Sequence, residues 1–339
     1  MILRQSFALS VLFGLTLSAC QAQSSASQAR VIFDLHNGFW INLHHFLYTA
    51  AQASSGIVRL PQGDPTDAKE LDSLSDKERH AWHIALSYYA SALVHRDLLM
   101  DQGMEEIKNE LEDSESSPDL KEAKVAPELK SVLLTAAPIY RKHWWPRHEK
   151  ANRDWISALN PLLGRYGSSL TSALANIYEV PWPEQPIRVD VVAYANWAGA
   201  YTTLYPTRPT ISALNVANRG TAALEIIFHE TSHGMMSRVM KGIETADKEI
   251  TAGHRHSVVG HGLWHEVLFY TAGELVAELV PGYVPYADKN GLWDHAWKHD
   301  DRETFERDWK PHMKGTVSLD AALAKLANDL SSAWDPQHR

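Results

Sequence analysis

Leu224, Ile226, Ile227 and Phe228 run without a break into His229-Glu230-Thr231-Ser232-His233. Four large apolar residues in five positions demand burial, and the polar residues that follow are carried inward with them. Thr221 stands where an N-cap belongs, so the pattern predicts one helix from 221 to about 240. On such a helix His229 and His233 share a face, one turn apart. Two imidazoles so placed can grip one Zn²⁺ at about 2.0–2.1 Å each. Glu230, rotated by about 100°, stands beside the ion rather than on it. From there a carboxylate can take a proton from a water acidified by the metal.

The rest of the chain reads as α+β and mostly helical. Helices are expected over 31–53, 75–100 and 132–159, with Pro146 kinking or restarting the third. Residues 105–130 are dominated by charge and read as a solvated helix end with a loop. Ile187, Val189 and Val191 then alternate with Arg188 and Asp190, the period of a strand. A turn into a second strand is expected over 196–204 and a third strand over 207–214. A helix over 263–280, closed by Pro281 and Gly282, precedes two or three shorter ones. This order suggests a helical region at 31–160 and a region of strands and helices at 161–339. His36, Trp40, His44, His45 and Tyr48 read as helix packing with satisfied polar tips, and the aromatic segment 143–153 as packing between the two halves.

The chain carries 41 acidic against 32 basic residues, a net charge of -9, and shows no basic stripe. That balance excludes a nucleic-acid partner. Eighteen histidines invite a metal. Cys20 is the one cysteine, so there is no internal disulfide, zinc ribbon or iron–sulfur site. It follows Arg4, an apolar run over 7–17, and Leu17-Ser18-Ala19. This order resembles a bacterial lipoprotein signal peptide, here residues 1–19, in which the cysteine thiol takes a diacylglycerol. The resemblance implies a mature chain that begins at Cys20 and is held to a membrane by acyl chains. Residues 20–30 would then be a flexible tether. Gln21 favours the outer membrane, facing the periplasm of the cell envelope.

The H-E-x-x-H segment, following a region of strands, resembles the zincin metallopeptidases, whose active-site helix follows a small sheet with an exposed edge strand. The likeness covers about 187–280. Met236 and Val239 stand where the metzincin motif has a glycine and a third histidine, so the gluzincin type is the better match. The resemblance implies a zinc metallopeptidase acting on a peptide or protein, with His229 and His233 as ligands, Glu230 as base and a third ligand from a later helix. That ligand is open between Glu266 and Glu274. The apolar stripe of the 263–280 helix favours Glu266, whereas Gly273 favours Glu274 by admitting a neighbouring helix. His265, Glu244 and Glu249 stand behind them. In several gluzincins a histidine or tyrosine steadies the oxyanion, and His265, His261 and Tyr270 are the candidates here. Trp197 and Tyr201, on the expected edge strand, would line an extended substrate. A zinc amidase acting on cell-wall material and a non-catalytic envelope lipoprotein are the alternatives that the same residues allow.

Overall fold

Val189 and Val191 pack on one side of a sheet and Val192 on the other, and the fold is built on that alternation. The computed structural model describes residues 31–55, 65–253, 257, 262–297 and 299–333. Among the described residues, strand β1 (Phe33–His36) comes first, followed by five helices: α1 (Phe39–Ser54), α2 (Pro65–Glu70), α3 (Asp76–Ala92), α4 (Gln102–Asp113) and α5 (Pro127–His143). Helix α6 (Trp145–Tyr178) leads to strands β2 (Ile187–Val192), β3 (Ala200–Leu204) and β4 (Thr207–Ser212). Then come α7 (Ala222–Ser232), α8 (Ser237–Ala252) and α9 (Leu263–Leu279). The last described elements are α10 (Tyr286–Lys289), α11 (Leu292–His295), α12 (His299–Asp308), α13 (Lys310–Met313) and α14 (Leu319–Ala333). Among the described residues the fold is thus mostly helical with one small sheet, as expected, although the tail holds five helices rather than two or three. No described helix is long and apolar enough to cross a membrane.

The sheet has the order β1-β2-β4-β3, parallel except for β3, which pairs antiparallel with β4 and, among the described residues, has no strand on its outer edge. It separates two cores. Phe33, Ile187, Val189, Val191, Ala200 and Ile211 pack with α6, α7 and α9. Val192 and Tyr201 pack with α1, α3 and α5. The first core draws on the chain from Trp155 onward, plus β1; the second draws mainly on residues 39–145. The division near 160 is therefore one of packing layers and not of a linker, because α6 runs straight through it.

Three expectations of local structure change. Residues 33–36 are a strand and not the start of a helix. Phe33 and Leu35 alternate with Asp34 and His36, and the strand pairs in parallel with β2, some 150 residues away. The charged segment 105–130 contains α4, where Lys108 and Glu112 are fully buried and bonded at 2.8 Å. Lys108 also donates to Thr203 on β3 at 3.1 Å, so this charge lies under the sheet and not in solvent. Glu244 and Glu249 lie on α8 and not in a loop.

The aromatic segments behave as packing. Trp144 sits between α5 and α6 and stacks on Trp82 at 4.6 Å. Pro146 follows in the first turn of α6, where its missing N–H costs no helical bond. His148 lies between Tyr140 Oη at 2.9 Å and Asp67 at 3.1 Å. His44 meets Tyr89 Oη at 2.8 Å, and Tyr48 donates to the Arg96 carbonyl at 2.8 Å. His36 belongs to β1 instead, between Glu115 at 2.6 Å and Asp34 at 3.0 Å.

Candidate metal centre

All eleven residues of α7 are buried, so the polar motif is held in a rigid apolar setting. Thr221 occupies the N-cap position but makes no side-chain capping bond. The helix does not run on to 240. It ends at Ser232 in a 3₁₀ turn over His233–Met235, and α8 starts at Ser237. Gly234 lies in that turn, and a Cβ there would stand 2.5 Å from Thr207 Oγ1 at the start of β4, so a larger residue would have to displace the Thr207 side chain.

The second element of the site is α9, which packs against α7. His265 comes from its first turn. The ring centroids of His229 and His233 are 5.2 Å apart, those of His229 and His265 5.2 Å, and those of His233 and His265 5.3 Å. One ring nitrogen from each lies within 4.8 Å of the other two. Nδ1 of His229 is buried and has no hydrogen-bond partner among the described residues. Burial, then the neighbouring imidazoles, hold His229 well below the usual histidine range. Burial, then His265, brings His233 down to about 3, and burial brings His265 down to about 4. All three rings are therefore neutral at pH 7, with lone pairs free to bind. A divalent ion of the zinc type suits three such donors.

Glu230 stands beside this triangle. Its Oε2 is 3.8 Å from His233 Nε2, and Thr202 Oγ1 lies 2.8 Å from the same oxygen. Thr202 Oγ1 is also 2.9 Å from the Glu230 main-chain oxygen, so its one proton is shared between them. Burial pushes the Glu230 carboxyl up to about 7, and the Thr202 bond offsets part of that rise. Such a group can both take and return a proton near neutral pH.

The remaining candidates fall elsewhere. Neither Glu266 nor Glu274 belongs to the group of mutually close ligand atoms. The reason is helical geometry, since Glu266 is rotated by about 100° from His265 and Glu274 lies nearly opposite it. Glu274 pairs with Arg302 at 3.1 Å and Lys310 at 3.0 Å. Glu266 is largely buried, which pushes its carboxyl up to about 8, with Asp301 adding to the rise. Tyr270 donates to Glu306 at 2.6 Å and packs on Phe305, away from the imidazoles. Tyr201 is buried on the opposite face of β3, with its hydroxyl 2.8 Å from His45 Nε2, so it cannot line a substrate. Trp197 is 79% exposed, in the turn before β3. His261 and Cys20 lie outside the described residues.

Two groups near the site carried no clear sequence signal. Thr202 becomes visible only through the alternation of β3, which sends it to the α7 side and Tyr201 to the other. Tyr286, in the first turn of α10, stacks on Phe269 at 6.0 Å between ring centroids, and Phe269 is 3.9 Å from His229. Burial, Glu225 and Glu230 together push the Tyr286 phenol up. Comparison of the chain with protein-family models, with curated proteins and with solved structures finds no match in any of the three.

Proposed function

We propose that this chain is a zinc-dependent hydrolase of peptide bonds, carried at the bacterial outer membrane on a lipidated Cys20 and facing the periplasm. One observation carries the reading: three imidazoles, from α7, the 3₁₀ turn after it and α9, bring one ring nitrogen each within 4.8 Å of the others with the Glu230 carboxyl group alongside. His229, His233 and His265 would hold the metal, so the third ligand is a histidine where the gluzincin resemblance implies a glutamate. Zinc bound there would supply a Lewis acid and lower the pKa of water toward ~7. Glu230 takes the proton from the attacking water and hands it to the leaving amide nitrogen as the C–N bond breaks. Thr202 holds Oε2 in place for both transfers. Tyr286, rather than Tyr270, is the phenol placed near this chemistry. The anchor rests on Leu17-Ser18-Ala19-Cys20 and on the apolar run before it.

The test is hydrolysis of casein and of peptidoglycan fragments by the zinc-loaded chain. Cleavage of casein that stops with 1,10-phenanthroline and returns with zinc is the expected result. Cleavage of the cell-wall fragments alone would make the chain an amidase. Bound zinc without hydrolysis of either would leave a metal-binding lipoprotein.

A further inference from the structure

Glu225 is a buried carboxylate in the apolar stretch of α7 before His229, and burying it is costly unless it is hydrogen-bonded. It precedes His229 by four residues and so shares a face of α7 with that imidazole. Its Oε2 accepts two hydrogen bonds, from Tyr283 Oη at 2.6 Å and from the Tyr286 main-chain N–H at 2.9 Å. Both donors belong to the turn that leaves α9 and opens α10. The packing of α9 makes room for this contact. A Cβ on Gly273 would stand 2.7 Å from Pro285 Cβ and 3.2 Å from Glu225 Oε1, so only glycine lets helix, turn and carboxylate meet there.

We propose that Glu225 is a positioning residue that ties the 283–286 turn to the metal-binding helix and thereby holds Tyr286 beside the three-histidine site. The inference rests on the zinc-hydrolase reading, which it deepens by assigning a residue that supports the reaction without touching substrate. A carboxylate that merely stabilised α7 would bond within its own helix. Glu225 instead bonds to the turn that delivers Tyr286, and Tyr286 stacks on the ring that covers His229.

The experiment uses the full chain with four variants: Glu225→Ala, Glu225→Gln, Tyr286→Phe and the Glu225→Ala/Tyr286→Phe double. In the metal-free chain, amide hydrogen exchange at 283–286 should speed up by about tenfold or more in Glu225→Ala, the equivalent of one lost hydrogen bond. Glu225→Gln, which keeps an oxygen acceptor, should restore slow exchange. In the zinc-loaded chain, Glu225→Ala should retain its metal and lose about tenfold or more in kcat with little change in KM. The double variant should fall no further than Tyr286→Phe alone, because both changes remove the same contribution. Unchanged exchange in Glu225→Ala overturns the proposal, as does a loss that simply adds to that of Tyr286→Phe. Should Glu225→Ala fail to fold, Tyr283→Phe removes one of the two donors and must give the same pattern, smaller in size; unchanged exchange there overturns the proposal equally. If wild type binds no zinc, the hydrolase reading fails on its own, and the exchange result still decides whether Glu225 holds the turn.

Discussion

Glu230→Gln should lower hydrolysis by ~10²–10⁴-fold while leaving the metal content unchanged. The substitution conserves shape. A glutamine carbonyl oxygen can still accept from Thr202, and the three imidazoles lie on other positions of α7, its 3₁₀ turn and α9. What it removes is the ability to take a proton, which the proposed reaction needs; burial pushes the Glu230 carboxyl up to about 7. A carboxyl with an ordinary value would be the weaker base toward water at neutral pH. The checks are zinc per chain by elemental analysis and kcat on the substrate that wild type cleaves. A variant that keeps zinc and hydrolyses at the wild-type rate would remove Glu230 from the mechanism.

Lys108→Ala should destabilise the fold by about 3–5 kcal/mol, the cost of breaking a buried pair from one side. Both Lys108 and Glu112 are fully buried. The ammonium group donates to Glu112 at 2.8 Å, to Thr203 Oγ1 at 3.1 Å and to the Arg208 carbonyl at 3.2 Å. Its removal leaves Glu112 an ion-pair contact with Arg208 at 3.4 Å and the more distant charge of Arg188. The Lys108→Met/Glu112→Leu double should recover most of the loss, since an apolar pair needs no compensation and Arg208 keeps Asp113 at 2.9 Å. Urea denaturation of the metal-free chain gives both numbers. A loss below about 1 kcal/mol for Lys108→Ala would show that the pair is solvated. The position also bears on the site. Lys108 pins Thr203, and the next residue back along β3 is Thr202, which holds Glu230.

The sequence carried the parts of this arrangement whose cause is local. The apolar stripe after Gly262 marked α9 to within a residue, and the alternation from Ile187 onward marked β2. The four-residue spacing of His229 and His233 set their shared face. Features set by distant partners were hidden. β1 looked helical because its partner lies 150 residues later. α4 looked solvated because Thr203 and Arg208, which receive its lysine, arrive from another part of the chain. The break after Ser232 was hinted at by Gly234, whose close approach to Thr207 becomes visible only in the fold. The third imidazole is the most instructive case. His265 stands near the centre of the apolar stripe of α9, whereas the gluzincin resemblance implies a glutamate, either Glu266 at the edge of that stripe or Glu274 nearly opposite it. Facing direction on the helix, and not residue type, placed His265 with the other two.

Zinc titration of the metal-free chain, compared across wild type, His265→Ala, Glu266→Gln and Glu274→Gln, tests the three-imidazole centre most directly. One zinc per chain is expected in wild type and in both glutamine variants, with affinity lower by at least about 10²-fold in His265→Ala. Wild type that takes up no zinc, or a His265→Ala variant that binds as tightly while Glu266→Gln or Glu274→Gln does not, would contradict it.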